Sequence, residues 1–92
     1  TRVIDLVFEL ETLNCNVDVY DPWVNKDAAY REYGIMPVSE PINNCYDAII
    51  LAVAHDKFKQ MTLNQIKALG KDTHVIYDVK CLFEADQVDG RL

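Results

Sequence analysis

The residues of this chain that could do chemistry stand mostly at the ends of its apolar runs. His55 closes the run Tyr46–His55, YDAIILAVAH, Lys80 follows VIYDV, and Asp21 follows VDVY. In open α/β sheets ligands bind outside the carboxyl ends of the strands, so a residue just past a strand is the one to weigh. A flexible ammonium at Lys80 suits a phosphate, although a bare lysine is more often simply solvated. His55 either reaches a pocket or is a solvated strand-end histidine. His74 opens the last strand-like run and reads as structural or exposed. An acid at Asp21 could bond a ribose in a dinucleotide-binding fold. Without a glycine loop, a turn-forming Asp before Pro22 is the plainer reading.

Several chemistries are not written here. There is no nucleophile elbow, P-loop or GxGxxG, and the three glycines are scattered. Neither histidine has partners at ligand spacing. Cys15, Cys45 and Cys81 are odd in number and widely spaced, with no C-x-x-C. That pattern disfavours a disulfide framework and a zinc site, and fits reduced, partly buried thiols in a cytoplasmic protein. A formal net charge of −6 argues against nucleic acid or an anionic membrane as a general partner, but leaves room for a small anion at a local basic site. No stretch approaches the ~18 apolar residues of a membrane span, and no signal peptide is visible.

Positioning such residues needs a core. With 92 residues, half of them hydrophobic, the chain reads as one small domain, 1–92. A chain of this size buries roughly 60–65% of its unfolded surface. The central element is the run Ala48–Ala54, apolar without alternation, which predicts a strand over Tyr46–Val53 buried on both faces.

Around it the elements alternate. Val3, Ile4, Leu6, Val7, Leu10 and Leu13 recur at helical spacing, with Thr1 placed as N-cap and Asn14 and Asn16 at the far end. Val17–Tyr20 alternates and predicts a strand, stopped by Asp21-Pro22. Asn25 is placed to cap a helix over Lys26–Tyr33, with Ala29, Tyr30 and Tyr33 as its apolar side and Gly34 as its C-terminal cap. Ile35–Val38 is at best a short edge strand, because Pro37 removes a donor. Ser39–Cys45 is a loop, and 57–61 suits one helical turn.

Thr62-Leu63-Asn64-Gln65 matches a capping box before a helix with Leu63, Ile66 and Leu69 on its apolar face, ended by Gly70. Thr73–Val79 predicts the last strand. Lys80–Leu92 reads as irregular, with a turn around Glu84–Gln87. The alternation gives α/β: a three-layer, Rossmann-like, mainly parallel sheet with helices on both faces. The chain enters an amphipathic helix at once, so the sheet's first strand is expected to be missing and the chain to be a fragment of a longer protein.

Five runs in order resemble one family: Thr1–Leu6, VDVYDPWV (Val17–Val24), REYGI (Arg31–Ile35), YDAIILAVAH with Phe58, and VIYDVK (Val75–Lys80). They resemble the carboxyl-terminal UDP-binding domain of the UDP-glucose/GDP-mannose dehydrogenase family. The YGI-x-PVSE and KFKQM stretches and the DGRL ending are similar to its bacterial Vi-polysaccharide-type branch, which oxidises UDP-N-acetylhexosamines. The resemblance covers nearly the whole chain.

The resemblance implies an NAD-dependent enzyme of polysaccharide biosynthesis that takes a nucleotide-sugar C6 alcohol to a carboxylate. NAD is held by an amino-terminal domain absent here, and the parent is a homodimer. The catalytic cysteine lies upstream, so Cys15, Cys45 and Cys81 do not inherit its role and no catalytic residue is expected in this chain. Lys80 aligns with a basic residue facing the nucleotide. Thr1 and Arg2 border the missing substrate loop, and His55 stays a candidate by its place. The competing reading is a non-catalytic flavodoxin-like or receiver-like module. A receiver would press Asp21 or Asp78 into a phosphorylatable role, but no second acid sits beside Asp21.

Overall fold

The computed structural model of the protein describes residues 2–21, 25–52 and 61–91, with the side chain of Arg2 outside that description. The chain forms two compact units, Thr1–Pro41 and Ile42–Leu92.

In the first unit, helix α1 spans Arg2–Thr12. Val7 is buried, and Val3, Ile4, Leu6 and Leu10 are half-buried on the predicted stripe. Leu13 departs from that stripe: it lies past the helix and is 66% exposed. Asn14, at φ 66°, stops the helix. Its N–H donates to the Glu11 carbonyl at 3.0 Å, and the Cys15 N–H donates to that of Leu10 at 3.0 Å, which satisfies the last carbonyls.

Helix α2 spans Lys26–Tyr33 and carries both predicted caps. The Asn25 side-chain oxygen accepts from the Ala28 N–H at 2.9 Å. Gly34, at φ 72°, adopts a conformation that glycine reaches without a Cβ penalty. Ala29 is buried as expected, but Tyr30, expected on the apolar side, is exposed. The predicted strand Val17–Tyr20 is not formed, and no strand forms over Ile35–Val38. One backbone bond joins them, Val38 N–H to Val19 C=O at 2.8 Å. Alternation and β-branching favour an extended segment, but a strand needs a ladder of successive bonds, and this single bond does not make one.

The second unit holds the sheet. Strand β1 is Tyr46–Leu51, strand β2 is Gly70–Asp78, and strand β3 is Gly90–Arg91, in the order β1-β2-β3 with both pairings parallel. Helix α3, Leu63–Lys67, lies between β1 and β2 and starts on the predicted capping box. The Thr62 hydroxyl accepts from the Gln65 N–H at 3.1 Å, and the Gln65 side chain accepts from the Thr62 N–H at 2.8 Å. An α/β fold with a parallel sheet is thus what the alternation of patterns foretold. The central run continues past Ala52 outside the described residues, as does nearly all of the turn expected over 57–61.

Three expectations about this unit are corrected. Gly70 does not close α3; it opens β2. A Cβ there would collide with the imidazole of His74, so a glycine is needed at that place. The tail is not irregular throughout: a 3-10 turn spans Ala85–Gln87, near the predicted turn, and β3 follows it. Finally, β1 is buried on one face, not two. Leu51 packs with Ile66 and Ile76, joined by Ile49, Met61, Leu82, Phe83 and Val88. Ala48 and Ile50, of opposite phase along the strand, are exposed, as are Val75 and Tyr77 of β2. An unbroken apolar run has no internal marker that separates a two-sided strand from a one-sided one whose outer face is also apolar.

Candidate functional site

Because both pairings are parallel, the carboxyl ends of the three strands lie on one edge, where Leu51, Asp78 and Arg91 stand in register. Asp78 occupies the middle of that row and is fully buried. It shares the inward phase of Ile76, so the strand itself carries the carboxylate under the edge. Past it, the Val79 N–H continues the ladder to the Leu51 carbonyl at 3.0 Å. The chain then turns, with Cys81 at φ 56°, a conformation uncommon for a residue with a side chain.

The turn is fastened at its far end. Asp78 Oδ2 accepts from the backbone N–H of Phe83 at 2.8 Å. Arg91 Nη1 donates to the Phe83 carbonyl at 3.2 Å. A carboxylate from β2 and a guanidinium from β3 therefore hold both backbone groups of one residue. Asp78 Oδ1 is buried and has no hydrogen-bond partner among the described residues. Between the anchors, Leu82 and Phe83 pack against the core, and within 79–83 only Lys80 and Cys81 are exposed. A cation and a thiol are thus displayed on a loop whose two ends are fixed.

The lead-in to β3 is held in the same manner. The Asp89 N–H donates to the Ile76 carbonyl at 2.9 Å, and the Asp89 carboxylate accepts from the Ile76 N–H at 2.7 Å. Asp89 so replaces a strand partner for Ile76 and delivers Arg91 to the end of the sheet.

Of the residues singled out in the sequence, Lys80 is the one the structure describes at this edge. His55, Thr1 and the side chain of Arg2 lie outside the described residues. Asp21 is half-buried in the first unit. His74 is structural: its Nδ1 lies 2.7 Å from the Lys71 carbonyl, which can only accept, so Nδ1 carries the proton. Beside it Lys71 pairs with Asp47 at 3.2 Å, both well exposed. A depression of about 290 Å³ is lined by Lys67, His74, Asp86 and Asp89 among others, but by none of the expected site residues. In α2, Glu32 holds the Tyr33 hydroxyl above its usual range, first by hydrogen bond and then by like charge.

Sequence reasoning missed Asp78 and Arg91 as parts of a site. The available signal was an acid two residues after Ile76, on the inward phase of an otherwise apolar strand. Arg91 had only the DGRL run to mark it. Among the described residues no cluster of three or more His, Cys, Asp or Glu could hold a metal, and no helix is long and apolar enough to cross a membrane. Cys15, Cys45 and Cys81 are in no disulfide, and all three are exposed rather than partly buried as expected: they fall in turns and loop ends outside the apolar stripes.

A parallel sheet with helices is the arrangement of an open, Rossmann-like α/β fold, in which ligands bind outside the carboxyl ends of the strands. Residues 1–85 match the model of the UDP-glucose/GDP-mannose dehydrogenase family, UDP binding domain, and the chain belongs to that family. Over its whole length it is 53% identical to a UDP-N-acetyl-D-glucosamine 6-dehydrogenase of Salmonella typhi and 52% identical to one of Pseudomonas aeruginosa. It spans 22% of the length of each of these. It is also 26% identical over 89 residues to Protein CapL of Staphylococcus aureus, covering 97% of this chain and 21% of that one. No solved structure matches the chain.

Proposed function

We propose that residues 1–92 form the single carboxyl-terminal, UDP-sugar-binding domain of an NAD-dependent nucleotide-sugar 6-dehydrogenase. The parent would take the C6 alcohol of a UDP-N-acetylhexosamine to a carboxylate during polysaccharide biosynthesis, as a cytoplasmic homodimer. The observation that carries this reading is the identity of 53% and 52%, over every residue of the chain, to two UDP-N-acetyl-D-glucosamine 6-dehydrogenases.

The chemistry of the sheet edge agrees with a nucleotide end of the substrate. Lys80 is the residue proposed to meet the phosphates, with Thr1, Arg2 and His55 as further contacts. The anchored loop holds the Lys80 backbone in place, so only side-chain freedom is lost when the ammonium pairs with a diphosphate, and the contact is charge-assisted. The residues present do not fit NAD. Its pyrophosphate needs clustered glycines at a strand-to-helix turn, whereas Gly34 caps a helix and Gly70 and Gly90 each open a strand. NAD therefore binds outside these residues, and this chain supplies substrate binding alone.

The buried carboxylate of Asp78 weighs against the receiver-like alternative, because a phosphorylatable Asp must be open to its phosphodonor. The test is calorimetric titration of UDP into the full-length protein, beside an assay of NAD⁺ reduction with UDP-N-acetylglucosamine and with UDP-glucose. Binding of UDP with turnover of the acetylated sugar supports the reading. A full-length protein that binds neither UDP nor UDP-sugars sinks it.

A further inference from the structure

We infer that Asp78 and Arg91 are positioning residues that set the place of the Lys80 ammonium through the backbone of Phe83. The inference rests on the proposed role of Lys80 in UDP-sugar binding. Asp78 is fully buried and so cannot touch the ligand, while Arg91 is exposed and gives its Nη1 to the Phe83 carbonyl. Both act on one point. The carboxylate takes the Phe83 N–H at 2.8 Å, and the guanidinium takes the carbonyl at 3.2 Å.

The arrangement is costlier than a plain structural loop requires. Asp78 Oδ1 is buried with no hydrogen-bond partner among the described residues, and a buried acceptor left unmade is a rare and expensive feature. Cys81 is held at φ 56°, which persists only where surrounding contacts over-determine it. Two local costs in a loop whose exposed residues are Lys80 and Cys81 point to a requirement on where Lys80 stands. The fixed ends provide that. Val79 is tied to Leu51 in β1, and Phe83 is tied to β2 and β3, so the loop cannot drift from the sheet edge.

The test is a set of double-mutant cycles in the full-length protein, reading the Kd for UDP and the KM and kcat for UDP-N-acetylglucosamine. The variants are Asp78→Asn, Asp78→Ala, Arg91→Ala and Lys80→Ala, with each of the first three also combined with Lys80→Ala. Asp78→Ala and Arg91→Ala are expected to raise the Kd for UDP about threefold to tenfold, as loss of one hydrogen bond does. Asp78→Asn, whose amide oxygen still accepts from Phe83, should fall between wild type and Asp78→Ala. On the Lys80→Ala background the same changes should shift Kd less than about twofold, because the group they position is gone. Should Asp78→Ala not fold, Asp78→Asn and Arg91→Ala carry the same comparison.

A lowered Tm with unchanged Kd and KM overturns the inference, and so do effects that add fully on the Lys80→Ala background. If Lys80→Ala itself leaves Kd and KM at wild-type values, the proposed role of Lys80 falls and this inference with it. A Lys80→Ala defect with additive Asp78 and Arg91 effects sinks this inference alone.

Discussion

Asp78 and Phe83 close the loop that carries Lys80: the Asp78 carboxylate accepts the Phe83 N–H at 2.8 Å. A hydrogen bond to a charged acceptor contributes roughly 1.5–3 kcal/mol. The remaining oxygen, buried and without a partner among the described residues, opposes that gain by about 1–3 kcal/mol. The two are of similar size, so the contact's main effect is a firm geometry at the edge where the three parallel strands end.

Lys80 should contribute directly to UDP-sugar binding in the full-length protein. A charge-assisted contact of roughly 1.5–3 kcal/mol corresponds to a loss of about tenfold or more in affinity on Lys80→Ala. Titration with UDP and the KM for UDP-N-acetylglucosamine measure it. Values equal to wild type remove Lys80 from the site.

The 92-residue chain alone should not reduce NAD⁺. It has no glycine loop to hold the pyrophosphate, and dehydrogenation needs the cofactor against the sugar. Incubation of the purified chain with NAD⁺ and UDP-N-acetylglucosamine, followed at the absorbance of NADH, tests this. Reduction above the no-enzyme background contradicts it.

The core prediction separates the two faces of the sheet. Ile76 is 1% exposed and Ile50 is 37% exposed. Ile76→Ala should cost about 2–5 kcal/mol through a cavity between β2, α3 and the tail. Ile50→Asp in the 92-residue chain should cost less, because its carboxylate stays hydrated. Thermal unfolding of the two variants ranks them; an Ile50→Asp that unfolds first means the outer face is covered.

How much of this was legible follows from how local each signal is. The caps at Asn25, Gly34 and Thr62-Gln65 are contained within one helix turn, and the structure keeps all of them. The one-sided burial of β1 depends on what packs on each face, which the run 48–54 does not encode. β3 is Gly90–Arg91 alone, too short for any periodicity, and exists because Tyr77 and Asp78 offer it a strand. The site divides in the same way. Lys80 was marked by its place after an apolar run. The grip on Phe83 joins β2 and β3 across the sheet and has no trace in neighbouring residues.

The free side of β1 leads to the last prediction. In the order β1-β2-β3, β1 is an outer strand, and its second edge has no strand partner among the described residues. Its outer face carries exposed Ala48 and Ile50, continued by exposed Val75 and Tyr77 on β2. An apolar edge strand of this kind presents unpaired backbone donors and acceptors together with a hydrophobic surface, and tends to pair with another chain. The 92-residue chain should therefore self-associate through β1 at rising concentration. Ile50→Lys places a charge on the outer face beside that edge, and should shift the chain toward monomer while leaving the core of Leu51, Ile66 and Ile76 untouched. Sedimentation velocity over a concentration series measures both. A wild-type chain that stays monomeric throughout, or an Ile50→Lys variant that associates as strongly as wild type, shows that β1 is not the contact.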